Sequence, residues 1–267
     1  MLRLFSNIRK SLINEGKTSR YVRYAVGEVL LIMVGILLAL QVQNWNEGRK
    51  NKSLEKHYLG RIVEDLKRDV ADILGTRRNS FRKVLVGNNV LKKLGAGDFL
   101  GQMESNGNYD NLLVELAEFT ATTDLPLEPK SGLWLGLLST HAEIDLASYT
   151  YNELIATGRF EIISDSSLRE KISDYYQSAQ ASYSVTRHIS NTVQKFNNVR
   201  LEYNLSILSD VTLDEFLNRH EDVDPFITAT QDLIWGHLTS LGPFHYGVRA
   251  QAEALVNELE DYLETLD

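Results

Sequence analysis

The hydrophobic pattern of this 267-residue chain changes character after the N-terminal part. Residues 24–43 read YAVGEVLLIMVGILLALQVQ and are almost continuously apolar, whereas later segments repeat apolar positions at intervals of three and four residues. That spacing places apolar side chains on one face of a helix. Only four prolines interrupt the chain. The pattern predicts an all-α protein, with one N-terminal transmembrane helix that continues into an extracytoplasmic helical bundle.

Capping residues and breakers divide the remainder of the chain into helices. The clearest loop is Gly95–Asp98 with Gly101 and residues 106–108, and residues 158–163 are predicted as a turn with a short extended piece. The predicted helices are a continuation of the apolar segment to about Leu94, Asp110–Thr120, Leu133–Leu138, His141–Thr157, about Ser166–Ser206 after a cap at Asp165, a short helix capped by Thr212, Phe226–Leu241 and Val248–Leu266.

The apolar segment has the length of a membrane span. At about 1.5 Å per residue, residues 24–42 extend about 28 Å, which matches the hydrocarbon thickness of a bilayer. A core helix of a soluble protein would show a polar stripe, and none occurs between Glu28 and Gln41. A cleaved signal peptide would place a small-x-small motif after Leu40, and none follows. We therefore predict an uncleaved anchor over residues 24–43.

Charge is distributed unevenly along the chain and predicts the orientation. Residues 1–43 carry a net charge of +4, so the remainder carries −12. Six basic residues precede the apolar segment, which places the N-terminus in the cytoplasm by the positive-inside rule. Residues 1–23 then form a cytoplasmic basic amphipathic segment, either an interfacial helix or a solvated tail. The acidic remainder, residues 44–267, lies outside and excludes nucleic acid as its partner.

Aromatic residues stand at both ends of the predicted span. Tyr21 and Tyr24 precede it and Trp45 follows it. Such rings are enriched where the headgroups meet the hydrocarbon. We predict that these three residues mark the two membrane interfaces.

Glu28 is the only charged residue of the apolar segment. Because a carboxylate in hydrocarbon costs a few kcal/mol, it should face protein, water or a cation. Gly35 and Ala39 lie within about 20° of Glu28 around a helix axis, and Gly35-x-x-x-Ala39 is a small-xxx-small pattern. This face predicts a membrane helix–helix contact in a homo-oligomer. In the alternative, Glu28 lies shallow and reaches Arg23 or the lipid headgroups.

Two sequence blocks carry a resemblance to a known family. The first joins Tyr24–Glu28, Gly35–Gln41 and Asn44–Glu47, and the second joins residues 151–154, 158–163 and 168–176. Together they resemble the bacterial membrane family catalogued as domain of unknown function 6090. The resemblance implies membrane anchoring in a Gram-negative bacterium, so that the outer domain would be periplasmic and the membrane the inner membrane. It implies no activity.

The candidate chemistry of the chain is sparse. There is no cysteine, which excludes disulfides and thiolate sites. The motif His141-x-Glu143-x-Asp145 contains residue types that bind metals, but a spacing of two does not place them on one face of a helix. His237 and His245 flank Gly242-Pro243 and could meet across that turn. Neither a nucleophile elbow nor a phosphate loop is present. We predict no catalytic residue, no metal, no cofactor and no enzymatic activity.

Three functions remain open on this reading. The first is a non-enzymatic, homo-oligomeric scaffold or accessory protein, with protein partners unidentified beyond the lipid bilayer. The second is a small pore whose lumen is lined by Glu28. The third is a periplasmic ligand-binding sensor module that acts through a partner, suggested by an aromatic stripe that forms either core or a pocket wall. That stripe comprises Tyr175, Tyr176, Tyr183, Phe196 and Tyr203.

Overall fold

The computed structural model describes residues 18–105, 110–122, 133–141, 144–208 and 210–266. Helices dominate these ranges, and no strand is assigned within them. The predicted all-α class is confirmed, with one long apolar helix near the N-terminus followed by a helical region. The helices are α1 (Thr18–Lys93), α2 (Phe99–Ser105), α3 (Asp110–Thr122), α4 (Leu133–Leu138), α5 (Tyr149–Ala156), α6 (Ser166–Glu202), α7 (Leu213–Arg219), α8 (Asp224–Gly242) and α9 (Arg249–Thr265).

The contacts within the chain separate two compact units at His57 and Tyr58. In the first unit, the described part of α1 exposes its apolar side chains, from Val26 to Val42, to about half of their possible area or more. Within the described residues, α1 is the helix that is long and apolar enough to cross a membrane. The residues of the predicted basic segment before Thr18 lie outside the described part.

The second unit is built around the part of α1 from Tyr58 onward. The three- and four-residue spacing predicted this: Leu59, Ile62, Leu66 and Ile73 are fully buried. They pack against α5, the first half of α6 and α9 in one apolar cluster. Further along α1, a second cluster contains α4, α7 and the start of α8, and a third contains α2, α3 and the end of α8. Every apolar cluster of this unit therefore contains residues of α1.

The caps of two helices agree with the sequence prediction. Asp165 caps α6, because its carboxylate accepts the backbone N–H groups of Ser167 and Leu168. Thr212 forms a capping box with Glu215 at the start of α7. Both caps satisfy amides that the first helical turn leaves without partners.

Three segments differ from the prediction. The predicted loop after Leu94 contains a short helix, α2, which Asp98 caps through the amide of Gly101. The predicted helix His141–Thr157 is shortened to α5, because residues 144–148 form no regular secondary structure and the amides of Leu146 and Ala147 bond to side chains of other helices. Residues 158–163 form a turn at Gly158 (φ +65°) and a 3₁₀ turn at Phe160–Ile162.

The segment between α8 and α9 also departs from the expected break. α8 ends at Gly242, as predicted, but the chain continues as a π-helical turn over Pro243–Val248 into α9. Proline has no backbone N–H to donate to the preceding turn, so the regular α-helical ladder cannot pass through Pro243. The wider turn preserves the helical path where the sequence pattern alone indicated a stop.

Aromatic side chains dominate the second cluster. Phe226 is fully buried and its ring lies 5.0 Å from Phe216, 5.3 Å from Phe196 and 6.0 Å from Trp134, measured between centroids. Such edge and tilted contacts add to the hydrophobic contribution of each ring. Phe226 therefore joins α4, α6, α7 and α8 at one point.

We expect Phe226→Ala to lower the free energy of unfolding by about 3–5 kcal/mol, because it removes a buried ring and leaves a cavity among three others. The measurement is denaturant unfolding of the full-length protein in detergent, followed by tryptophan fluorescence, since Trp134 contacts the substituted ring. Tyr149→Ala is the matched control, because Tyr149 is 73% exposed. Equal losses for the two variants would contradict this assignment of the core.

Candidate functional site

The candidate functional groups of the second unit are the polar side chains of α1 that are buried in it. Along this helix the buried polar residues are Asp65, Asp69, Ser80, Lys83 and Asn88, in addition to Glu55 before the unit begins. A buried polar group needs a hydrogen-bond partner, since its desolvation is otherwise uncompensated. The surroundings of these five residues define two clusters and one loop anchor.

Asp69 and Asp65 form the first cluster, one helical turn apart. The Asp69 carboxylate accepts the Ala147 amide and the Tyr175 hydroxyl, both at 2.6 Å. Asp65 accepts the amide of Thr150 at 3.4 Å, at the start of α5. The two carboxylates thus hold the irregular segment 144–148 and the first turn of α5 against α1. Negative charge at that position is also favoured by the N-terminal end of the helix dipole.

The Asp69 carboxyl is perturbed by its surroundings. Burial raises its pKa to about 6, against the opposing effect of the Tyr175 and Ala147 hydrogen bonds, and the nearby Asp65 and Asp72 raise it further. A carboxyl with a pKa in this range changes its protonation state close to neutral pH. Asp69 is therefore the carboxyl of this cluster whose titration influences the stability of the fold.

Three tyrosines complete this cluster. Tyr175 and Tyr176 are buried, and burial is the main cause that raises the pKa of each phenol, with nearby carboxylates adding to it. Both stay protonated at physiological pH. The Tyr183 hydroxyl accepts the Leu146 amide at 2.7 Å, so that a third phenol contacts the same irregular segment. Tyr176 stacks on Tyr151 with a centroid distance of 4.3 Å.

An open cleft of about 400 Å³ lies beside this aromatic stack. Its lining combines the two stacked rings with uncharged polar side chains. The lining residues are Ser148, Tyr151, Asn152, Tyr176, Gln177, Gln180 and Ala181. Within the predicted aromatic stripe, Tyr175, Tyr176 and Phe196 are buried and Tyr183 and Tyr203 are half-buried, so the stripe is mainly core and Tyr176 also reaches a pocket wall.

The second cluster brings α1 and α8 together through basic groups. His237 is 2% exposed, and its Nδ1 lies 3.2 Å from the Ser80 hydroxyl oxygen. Burial lowers the pKa of His237 to about 3, and the positive influence of Lys83 and of His141 lowers it further. The imidazole is therefore neutral at physiological pH. The same effect indicates that Lys83 and His141 each lie close enough to His237 to influence its charge.

Lys83 is the unusual member of this second cluster. It is 4% exposed, and among the described parts of the chain its ammonium nitrogen has no hydrogen-bond partner. Burial alone lowers its pKa to about 8. Buried lysines in proteins normally pair with a carboxylate. A perturbed, buried cation beside a histidine and a hydroxyl is the strongest candidate for a functional group in this unit.

The last buried polar residue, Asn88, anchors the turn that follows α1. Its amide donates to Asp98 at 2.9 Å and its oxygen accepts the Leu100 amide at 3.2 Å. Lys92 pairs with Asp98 at 2.8 Å. The Lys92 and Asn88 contacts lower the pKa of Asp98. An open cleft of about 540 Å³ adjoins this turn, between the end of α1, α2 and α3.

The residues predicted at the membrane all belong to α1. Glu28 is partly exposed, and Gly35 and Ala39 are exposed, with no neighbour within 4 Å of a Cβ built at Gly35. Trp45 is 68% exposed, and the Arg49 guanidinium lies 5.6 Å from its ring centroid. The backbones of Tyr21 and Tyr24 are helical, but their side chains lie outside the described part. The helix–helix contact and the interface roles stay predictions.

The histidines considered as metal ligands do not form a described site. No group of three histidine, aspartate or glutamate side chains with metal-binding geometry occurs among the described residues. Glu143 and the side chain of His245 lie outside the described part. His237, which the sequence paired with His245 as one possibility, contacts Ser80 on α1.

The buried polar residues of α1 lie within the part of the chain that matches a known protein family. Residues 28–99 match a family of unknown function (DUF6090). The resemblance predicted from the sequence is thereby confirmed over this segment, whereas the second block, residues 151–176, lies beyond the match. No curated protein and no solved structure matches the chain. The matched segment contains every member of the two clusters that α1 supplies.

The sequence analysis did not single out Lys83, Asp65 or Asp69. A signal for Lys83 was present, because it stands among Phe81, Val84 and Val86 on a helix whose apolar stripe is nearly continuous. A charged residue inside such a stripe marks a buried position. The hydrogen-bond partners of Asp65 and Asp69, and that of Ser80 one turn before Lys83, lie more than 60 positions away along the chain, and no local spacing indicated them.

We expect Asp69→Asn to remove a pH-dependent contribution to stability. The folded carboxyl has a pKa of about 6, against an unperturbed value of 3.8, so the folded state retains a proton that the unfolded chain has released. The contribution of this carboxyl to the free energy of unfolding therefore falls as the pH rises from about 4 to about 6. At pH 7 the variant should be more stable by up to about 3 kcal/mol.

The measurement is the free energy of unfolding of the full-length protein at intervals between pH 4 and pH 7. Asp174→Asn is the control, because Asp174 is an exposed carboxylate on α6. The difference between wild type and Asp69→Asn should grow across this window, while the control stays parallel to wild type. An equal pH slope in all three proteins would show that Asp69 does not hold its proton in the folded state.

Proposed function

We propose that this chain is a membrane-anchored, non-enzymatic scaffold or accessory protein that assembles as a homo-oligomer through its membrane helix. Residues 24–43 would be the anchor and residues 44–267 a helical domain in the periplasm, with the N-terminus in the cytoplasm and the anchor in the bacterial inner membrane. The observation that carries the proposal is an apolar, outward-facing helical segment that includes one carboxylate and two small residues on the same face.

The apolar part of α1 supports anchoring. Its large apolar side chains between residues 26 and 42 are exposed, and in water such a continuous apolar surface is unfavourable. In a bilayer the same surface is stabilised, and the helix satisfies its own backbone hydrogen bonds. The length of the segment matches the hydrocarbon core.

Glu28, Gly35 and Ala39 support the oligomer. The absence of a side chain at Gly35 and the methyl group of Ala39 allow a second helix to approach closely. Because Glu28 lies on that face, a neighbouring helix would shield its carboxylate from lipid, which otherwise costs a few kcal/mol. A second copy of the chain presents the same face, so that the contact is self-complementary about a two-fold axis.

We expect Gly35→Leu and Glu28→Leu to reduce the oligomer to the 30.3 kDa monomer. The leucine at position 35 keeps the helices apart, and the leucine at position 28 removes the polar contact between them. The measurement is light scattering of the full-length protein in detergent, with the mass of the bound detergent subtracted.

Gly27→Leu is the matched control, because Gly27 lies about 100° around the helix from Glu28. It should keep the mass of the wild-type oligomer. A monomeric wild type, or the same loss in the control and in Gly35→Leu, would overturn the proposed contact.

The charge distribution supports the proposed orientation. Six basic residues precede the anchor, and positively charged flanks remain on the cytoplasmic side. Because the chain has no cysteine, single cysteines report each side without a background signal. We expect a membrane-impermeant maleimide to label Gln251→Cys in intact spheroplasts, and Ser6→Cys only after the membrane is permeabilised.

Gln251 is exposed on α9, so its accessibility does not depend on unfolding. Labelling after permeabilisation provides the control that both cysteines react. The reverse result, with Ser6→Cys labelled from outside and Gln251→Cys protected, would mean that the helical domain is cytoplasmic.

A further inference from the structure

The first unit carries a basic stripe where α1 leaves its apolar run at Val42. Trp45, Arg49 and Lys52 follow Val42 at intervals of three and four residues within the helix. At about 100° per residue, the three side chains lie within about 60° of one another around the helix axis. All three are exposed, and Trp45 is 68% exposed. A large aromatic ring and two cations therefore share one open face of α1.

The Arg49 side chain turns back toward the apolar run. Its guanidinium carbon lies 5.6 Å from the centroid of the Trp45 ring, which is one turn closer to that run. This direction is general in helices, because each Cα–Cβ bond tilts toward the N-terminus. The Cα–Cβ bond of Lys52 tilts the same way. The geometry of the helix thus directs the positive charges of the stripe toward the end of the apolar run.

The protein leaves these charges available. Within the described part of the chain, no carboxylate pairs with Arg49 or Lys52. Glu47 is the only acidic residue between Trp45 and Lys52, and it lies about 160° around the helix from Trp45. Its carboxylate accepts the side-chain amide of Gln43 at 2.9 Å. The stripe therefore presents cationic donors on a face that lacks an acceptor.

We infer that Trp45, Arg49 and Lys52 bind the phosphate of an anionic phospholipid, in the leaflet at which α1 leaves the membrane. This inference rests on the proposed anchor, because a lipid reaches the stripe only if residues 24–43 span a bilayer. The planar guanidinium of Arg49 matches two phosphate oxygens, and Lys52 adds a second positive charge. The Trp45 ring occupies the boundary between headgroups and hydrocarbon, where amphipathic rings are enriched.

The position of the stripe selects a lipid over a soluble anion. If Val42 ends the hydrocarbon, Trp45 lies about 4.5 Å beyond it, within a headgroup layer of about 5–8 Å. The Arg49 guanidinium beside that ring lies in the same layer. Leu38 is 62% exposed and lies about 20° from Trp45 around the helix, so the acyl chain of the bound lipid has an apolar surface to cover.

The proposed oligomer leaves this stripe open. Glu28 lies about 100° from Trp45 around the helix axis, so the contact through Glu28, Gly35 and Ala39 uses a different face. A chain in the oligomer can then bind a lipid without separating from its neighbour.

The test is native mass spectrometry of the full-length protein in detergent, titrated separately with phosphatidylglycerol and with phosphatidylcholine of the same acyl chains. The two lipids share the phosphate, but the choline cation neutralises the second headgroup. We expect wild type to bind phosphatidylglycerol at least about 5-fold more tightly than phosphatidylcholine. Arg49→Gln and Lys52→Gln should each weaken phosphatidylglycerol binding about 5-fold, the contribution typical of one basic residue at a membrane surface.

Lys50→Gln is the matched control. It removes the same charge as Lys52→Gln from an exposed position two residues away, but Lys50 lies about 140° around the helix from Trp45. This variant should keep the wild-type affinity for phosphatidylglycerol. Equal losses for Lys50→Gln and Lys52→Gln would mean that the lipid responds to net charge, and would overturn the assignment of a site.

Extraction of native membranes with alkaline carbonate separates this inference from the proposed anchor. Release of wild type would overturn the anchor, and the lipid site with it. Retention of wild type in the membrane, together with equal affinities for the two lipids, would overturn the lipid site alone. Displacement of phosphatidylglycerol by an equal concentration of potassium phosphate would do the same, because it would identify a site for soluble anions.

Discussion

The structure depends on the burial of one helix on several faces at once. From Tyr58 onward, α1 contributes to all three apolar clusters of the second unit, and the other helices meet through it. A helix at the surface of a domain turns its polar residues to solvent, but a helix covered this widely cannot. Each polar residue on a covered face then needs a partner inside the protein.

Those partners determine the local structure around α1. Asp65 accepts the amide of Thr150 in α5, and Asp69 and Tyr183 accept the amides of Ala147 and Leu146, which keeps the segment 144–148 out of the helix. Asn88 fixes the turn into α2 in the same way. The buried side chains of one helix thus decide where two other helices begin.

Lys83 differs from the other buried polar residues of α1 in its hydrogen bonding. The carboxylates of Asp65 and Asp69 and the amide of Asn88 have protein partners at hydrogen-bond distance, whereas the Lys83 ammonium has none among the described residues. The first cluster therefore satisfies its buried groups within the protein, whereas the second leaves a buried cation without a hydrogen bond in the described part of the chain.

The first unit presents the opposite pattern. Its apolar side chains are outward-facing, and its single apolar-segment carboxylate shares a face with the two smallest residues available for helix contact. Water does not stabilise such a surface, and lipid does. The proposed role as an anchored, oligomeric protein follows from this contrast in surface chemistry.

The sequence by itself determined the helical class, the apolar segment, most helix positions and the caps at Asp165 and Thr212, because periodicity and capping are local properties. It placed Leu133–Leu138 correctly and extended α5 too far, since no local signal revealed the carboxylates that hold residues 144–148. Only the tertiary structure decided which polar residues of α1 are buried and what they contact. Asp69 meets Ala147 and Tyr175, and Ser80 meets His237, across separations of 78 to 157 residues, and contacts at that distance along the chain are set by the packing of whole helices.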